Sequence, residues 1–148
     1  MHFVLRDFLP QDFEAIWKLD QICFTRGIAY SKAELNYFLK QSNSFCVIAE
    51  GDGAVCGFAV VERDAKKTGR IITIDVHPDA RRSGLGSLLM MAVEERLVSL
   101  QSVHVVLEVA VDNLVAITFY KKHGYSVTGT IPRYYNRMLD ALRMEKAL

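Results

Sequence analysis

The sequence predicts an α/β (α+β) domain built on a twisted mixed sheet, and three observations predict it. β-rich runs alternate along the chain with stretches of 3.6-residue apolar period. Two of the runs, Phe45 to Glu50 and Val55 to Glu62, flank Gly51-Asp52-Gly53, a hairpin signal. After them the order is strand, helix, strand, helix, strands, which places helices against a sheet of mixed direction.

Each element has its own reason. Phe3 to Arg6 reads as a short strand, and Pro10 suits the first turn of a helix that carries Phe13, Ile16, Leu19 and Cys23 inward. A loop, Phe24 to Tyr30, follows. Ser31-Lys32-Ala33-Glu34 is a capping box that opens a second helix, to about Lys40. Beyond the hairpin, Arg70 to Val76 makes a strand. The stretch Ser87 to Leu100 continues a helix whose Leu85, Leu88, Leu89, Ala92, Val93 and Leu97 share one face. Val103 to Val111 is an almost continuous apolar strand, and a helix from about Asn113 to Lys122 stops at Gly124. Tyr125 to Ile131 and Leu139 to Lys146 close the sheet, giving about seven strands flanked by about four helices in one domain over residues 1–148.

Composition narrows the function classes. With 51% hydrophobic and 24% charged residues, 148 residues suffice for one full core. A formal net charge of +1, with scattered basic residues, gives no field for nucleic acid. The apolar run Leu88 to Val93 is far short of the roughly 20 residues a membrane span requires. Asp7 and Asp12 near the N-terminus do not suit a signal peptide. A cytoplasmic protein follows, a monomer or weak homodimer. Cys23, Cys46 and Cys56 lack paired spacing and read as buried free thiols, and the four histidines lack metal-ligand spacing, so no metal is expected.

The chemistry concentrates first at Arg81-Arg82-Ser83-Gly84-Leu85-Gly86, between a strand and a helix. Two glycines let a backbone turn tightly, the N–H groups of a helix start receive an anion, and arginines supply countercharge, so the segment suits a pyrophosphate. A Walker loop would need Gly-Lys-Ser/Thr, but Gly86 is followed by Ser87-Leu88. A dinucleotide fingerprint would need a small residue where Leu89 stands, although Glu108 lies at about the 20-residue distance of its acidic partner. Glu108 itself interrupts an apolar strand. It is either salt-bridged or edge-exposed, or a proton acceptor whose basicity burial raises. Asn113, Ala116, Ile117 and Tyr120 then share one helical face. Asn113 is a helix cap or a cofactor contact, and Tyr120 a core aromatic or a group beside a thiol cofactor.

The pattern Arg-x-x-Gly-x-Gly at residues 81–86 resembles the acetyl-coenzyme A loop of the GNAT N-acetyltransferase superfamily. The run Leu107-Glu108-Val109, Asp112-Asn113, Ala116, Phe119-Tyr120 and Lys121-Lys122-His123-Gly124-Tyr125 resembles that superfamily's second motif. With Tyr134-Tyr135 and Asp140-Ala141-Leu142-Arg143-Met144, the chain is most similar to the N-alpha-acetyltransferase branch, above all the RimI-like ribosomal-protein alanine N-acetyltransferases. The resemblance spans about Phe3 to the C-terminus and is most specific from Ile74 to Met144. It implies a sheet splayed between two parallel strands to admit acetyl-CoA. Ile74, Asp75 and Val76 would meet the acetyl and pantetheine portions, while Arg82, Ser83, Gly84, Leu85, Gly86 and Ser87 would hold the pyrophosphate. Asn113 would contact the cofactor, Glu108 would accept the amine proton, and Tyr120 would protonate the departing thiolate. Tyr30, Tyr134 and Tyr135 would border the acceptor. The chain departs from the branch at Ala110, where an arginine is usual, at Asp112, and in a Phe24 to Ser31 loop without Pro-Trp-Ser.

Three functions are therefore expected in turn: acetylation of a protein N-terminus, acetylation of a small amine such as a polyamine, amino acid or drug, or acyl-CoA sensing without turnover. Retention of Glu108 and Tyr120 speaks against the sensor, which needs neither base nor acid. The tyrosines leave little room at a peptide's first side chain, predicting a small first residue. Arg26, Arg133 and Arg137 would favour acidic residues further along, unless they form only a solvated rim.

Overall fold

The computed structural model describes residues 2–25, 27–136 and 138–148. Seven strands form one sheet: β1 (Phe3–Asp7), β2 (Ser44–Gly51), β3 (Ala54–Arg63), β4 (Thr68–Val76), β5 (His104–Ala110), β6 (Ser126–Asn136) and β7 (Leu139–Ala147). Their spatial order is β1-β2-β3-β4-β5-β7-β6, antiparallel throughout except for the β4–β5 pair. The described helices are α1 (Phe13–Cys23), α2 (Lys32–Lys40), α3 (Leu85–Ser99) and α4 (Leu114–Lys122). The fold is thus the mixed α/β sheet that the sequence predicts.

Both faces of the sheet are covered. Along β2, Val47 and Ala49 join Leu89, Val93 and Leu97 of α3 in one core, while Cys46 and Ile48 join Ile16, Leu19 and Leu35 of α1 and α2 in the other. This two-sided burial is why β2 and β3 read as nearly continuous apolar runs rather than as alternations. Their connection is the two-residue turn Asp52-Gly53, with φ of 52° and 78°, the left-handed pair that a tight hairpin requires. The capping box forms as expected: Ser31 Oγ accepts from Glu34 N–H, and Glu34 Oε1 accepts from Ser31 N–H at 3.0 Å.

Several expectations are corrected. Pro10 opens a short 3-10 turn, Pro10–Asp12, ahead of α1. Phe13 and Cys23 are half-buried, and of the three thiols only Cys46 is fully buried. On α3, Leu88 is 43% exposed and Met90 takes a core place, because the buried stripe follows Leu85, Leu89, Val93 and Leu97 and widens towards Met90. Strand β6 runs on to Asn136, although its register with β7 breaks between Ile131 and Asn136. Pro132 has no N–H to donate, and Arg133 adopts φ 54° and gives its N–H to Asp140 Oδ1 at 2.9 Å. Tyr134 and Tyr135 sit in this interrupted stretch.

The sheet opens between its two parallel strands. β4 and β5 pair from Thr68↔His104 to Ile71↔Leu107 and part beyond. A bulge in the β3–β4 register falls there, since Val61 faces Ile71 and Val60 faces Thr73, leaving Ile72 as the extra residue. The bulge reverses side-chain parity: Ile72 packs with the α1 core, whereas Ile74, two residues on, packs with the α3 core.

Candidate active site

The opening between β4 and β5 is flanked by the start of α3. Gly84 caps that helix at φ 84°, and a Cβ there would meet nothing within 4 Å, so its glycine serves the left-handed turn. The first intrahelical bond runs from Leu88 N–H to the Gly84 carbonyl at 3.0 Å, leaving the N–H groups of Leu85, Gly86 and Ser87 without backbone partners among the described residues. Buried Leu85 anchors this turn, while Arg82, Ser83 and Gly84 are exposed. Arg82 makes no ion pair among the described residues, whereas Arg81 donates to the Val76 carbonyl at 3.1 Å. Ser83 Oγ donates to the Ala80 carbonyl, and Ser87 Oγ lies 2.9 Å from His123 Nε2. Three free N–H groups beside an uncommitted guanidinium suit a pyrophosphate.

Gly86 carries a second constraint besides its free N–H. A Cβ on Gly86 would sit 3.2 Å from Phe119 Cε1, so the absence of a side chain there serves close packing of α3 on α4. The strand residues also divide. Ile74 and Val76 are half-buried and pack against the α3 core. The Val76 carbonyl accepts from Cys23 Sγ at 3.4 Å as well as from Arg81. Because His77 N–H donates to Cys56 of β3, alternation turns the Val76 backbone towards the opening and the Asp75 backbone towards β3. The Asp75 side chain is buried on the α1 face. Asp75 therefore offers the opening neither backbone nor carboxylate, against the sequence expectation.

Asn113 caps α4, its Oδ1 accepting Ala116 N–H at 3.2 Å, which leaves its side-chain N–H groups as donors. Two turns on, Tyr120 is buried against Phe119 and Tyr125. Among the described residues its hydroxyl has no hydrogen-bond partner. Burial first, then the carboxyl of Asp75, raises its pKa above the usual phenol range, so the hydroxyl keeps its proton.

Glu108 lies one residue beyond the last β4–β5 pair. Its side chain is 9% exposed, and Oε2 accepts from Arg70 Nε at 3.1 Å. Arg70 also donates to the Tyr134 hydroxyl at 2.8 Å and lies 3.7 Å from Glu62. The salt-bridged alternative for Glu108 is thus realised at the mouth of the opening. Tyr134 and Tyr135 stack edge to face at 4.9 Å beside Arg70 of β4, and the Tyr30 hydroxyl donates to the Ile72 carbonyl of the same strand at 3.2 Å. The three tyrosines expected at the acceptor therefore gather where β4 and β5 separate. Arg133 is exposed, and Arg26 and Arg137 lie outside the described residues.

Sequence reasoning missed Arg70, Arg143 and Asp20. Arg70 had a signal: it is a lone cation in an apolar strand, next to the strand that holds the lone anion Glu108. Arg143 faces Glu108 across the β5–β7 pair. With Glu62, His104 and Glu145 it lines a cavity of about 610 Å³ that reaches Arg70. Among the described residues no group of His, Cys, Asp or Glu is placed to hold a metal, and no helix is long and apolar enough to cross a membrane.

A sheet parted beside an anion-receiving helix start is the architecture of an acyl-CoA-dependent N-acetyltransferase, and comparison with known proteins gives the same class. The acetyltransferase (GNAT) family matches residues 13–125, and the chain belongs to that family. It is 31% identical over 144 residues to an uncharacterized N-acetyltransferase of Methanocaldococcus jannaschii, covering 97% of this chain and 90% of that protein. It is 30% identical to N-alpha-acetyltransferase 30 of Dictyostelium discoideum, over 78% of this chain and 64% of the relative. Among solved structures, Ard1 from Thermoplasma volcanium superposes with a TM-score of 0.92 at 29% identity, covering 100% of this chain and 99% of that one.

Proposed function

We propose that this N-acetyltransferase acts on the N-terminal α-amino group of a protein, with Glu108 as proton acceptor and Tyr120 as proton donor. Acetyl-CoA, when bound, supplies an acetyl group activated as a thioester. Leu85, Gly86 and Ser87 N–H groups with Arg82 would hold its pyrophosphate, the Asn113 amide and the Ile74 and Val76 backbone its pantetheine arm. Tyr30, Tyr134 and Tyr135 would border the amine. As the nitrogen–carbon bond forms and the carbon–sulfur bond breaks, Glu108 takes the proton lost from the amine and Tyr120 gives one to the sulfur. The amine proton then leaves to solvent, and Tyr120 recovers its own. An α-amino group, with a reference pKa of about 7.7 to 8.0 against about 10.4 for lysine, asks least of the base.

The observation that carries the reading is the polar cavity running on from Arg70 beside Glu108, which gives an acceptor longer than one amino acid room to continue. Kinship with N-alpha-acetyltransferases supports the same class of acceptor. The test is thiol release with a peptide panel of varied first residue and downstream charge, at low and high salt, beside lysine peptides, spermidine and free amino acids. Peptides with a free N-terminus and a small first residue are expected to be the fastest substrates. Faster turnover of spermidine or amino acids than of every peptide would establish a small-amine acetyltransferase instead, and tight CoA binding without turnover a sensor.

A further inference from the structure

Asp20 of α1 and Asp75 of β4 meet beneath the acceptor side of the sheet, and the chemistry above uses neither. They are 0% and 1% exposed. Each has one satisfied oxygen: Asp20 Oδ2 accepts Tyr30 N–H at 2.7 Å, and Asp75 Oδ1 accepts the Thr73 hydroxyl. The remaining oxygens, Asp20 Oδ1 and Asp75 Oδ2, are sealed from solvent and have no hydrogen-bond partner among the described residues. The two carboxyl groups interact where α1 packs on β4, beside the Cys23 Sγ contact with the Val76 carbonyl. A hydrogen bond between them needs a proton, because two ionised carboxylates present only acceptors and repel.

The surroundings provide no substitute for that proton. Facing the pair are Cys23 of α1, Glu34 of α2, Cys46 of β2, Tyr30, Tyr120 of α4 and Arg81. The first five are neutral or acidic, and the Arg81 guanidinium is committed to the Val76 carbonyl and Cys23 Sγ. Burial pushes both carboxyl groups up, Asp75 furthest, with Asp20 as its second cause.

We propose that Asp75 and Asp20 share one proton, and that this carboxyl–carboxylate pair positions the segment bordering the acceptor, Asp75 acting through Asp20 on Tyr30. The connection begins and ends on the parting strand. Asp75 holds Asp20, Asp20 holds the Tyr30 N–H, and the Tyr30 hydroxyl returns to the Ile72 carbonyl at the bulge. Gln21 Nε2 fixes the Tyr30 carbonyl at 2.7 Å. Loss of the shared proton leaves two buried negative charges, which must separate and release Tyr30. The functional half of the inference rests on the reading of Tyr30 as an acceptor border.

The test uses the full chain as wild type, Asp75→Asn and Asp75→Leu. The asparagine side chain still donates to Asp20 but carries no titrating proton, whereas the leucine side chain cannot donate. The unfolded chain releases the aspartate proton above about pH 4, while the folded chain keeps it to higher pH. Wild-type stability contributed by this group is therefore fully present below that value and falls as pH rises towards the folded pKa. Asp75→Asn should gain stability relative to wild type with rising pH, the gap closing near about pH 4. A gap independent of pH overturns the shared proton, and this readout needs no substrate. Hydrogen exchange at the Tyr30 amide should be as slow in Asp75→Asn as in wild type and faster in Asp75→Leu. Equal rates in all three overturn the positioning role. In kinetics, Asp75→Leu should raise the acceptor KM about tenfold, the scale of one lost hydrogen bond to a charged group, with the acetyl-CoA KM within about twofold. Equal loss in both constants also overturns it. If Asp75→Leu does not fold, Asp75→Ala, which cannot donate either, takes its place in the same measurements.

Discussion

A carboxylate in an apolar strand is costly unless something answers its charge, and Arg70 answers Glu108 from the neighbouring parallel strand. If Glu108 accepts the amine proton, Glu108→Gln lowers kcat by about 10²- to 10⁴-fold with little change in acetyl-CoA affinity. Its deficit shrinks at high pH, where more of the amine is already neutral. Tyr120→Phe also slows turnover, since the buried hydroxyl keeps its proton well past neutrality. Steady-state kinetics on the true acceptor decide this, and wild-type turnover in both variants would leave proximity and bulk water as the source of the rate. The two glycines separate by mechanism. Gly86→Val drives a side chain into Phe119 and should lower the melting temperature along with CoA affinity, because α3 is pushed from α4. Gly84→Ala meets open space and should cost only about 1 kcal/mol, from its left-handed φ of 84°. Thermal melts with calorimetric CoA titrations separate the two. That Gly86 answers to Phe119, 33 positions away, could not be read from a local motif, whereas the positive φ of Gly84 follows from its place at a helix start.

At the scale of elements, the second helix is held by its start. Ser31 and Glu34 satisfy each other's backbone N–H groups, and Leu35 is the fully buried residue of that helix. Ser31→Ala should cost about 1 kcal/mol of stability, measured by denaturant unfolding, and Ser31→Asp should restore most of it. The capping box was legible because its four residues are contiguous. The break in β6 was not, because it depends on how Pro132, Arg133 and Asp140 meet across the β6–β7 pair. Likewise the bulge at Ile72 leaves no local mark in the sequence Arg70 to Val76, yet it reverses side-chain parity and puts Asp75 on the α1 face.

For the whole molecule, two cores on opposite faces of one sheet enclose phenols as well as aliphatics. Tyr30, Tyr120, Tyr125 and Tyr135 are all raised above the usual phenol range, burial being the first cause in each. An unfolded tyrosine releases its proton near about pH 10, so the folded chain alone retains these protons above that value. Stability from this source is present below about pH 10 and lost as pH rises through the folded values. The slope is about 1.4 kcal/mol per pH unit for each of the buried Tyr120 and Tyr125. Melting temperatures from about pH 8 to about 12, with parallel spectrophotometric titration, should show these phenols ionising together with unfolding. Independent ionisation of buried phenols in the folded protein would contradict it.

The sequence by itself determined the order of strands and helices, the hairpin at Asp52-Gly53, the start of α2 and the loop of residues 81–86. Each rests on contiguous residues or on a fixed period, and local sterics and apolar burial act at that range. Tertiary structure decided which charges meet. Arg70 with Glu108, Asp20 with Asp75, and Tyr30 with Tyr134 and Tyr135 are pairs from separate elements. Their encounter depends on strand order, on one bulge and on where two parallel strands part. The reason is physical: a polar side chain is buried only where another element brings its partner, and the identity of that partner is fixed by packing at long range.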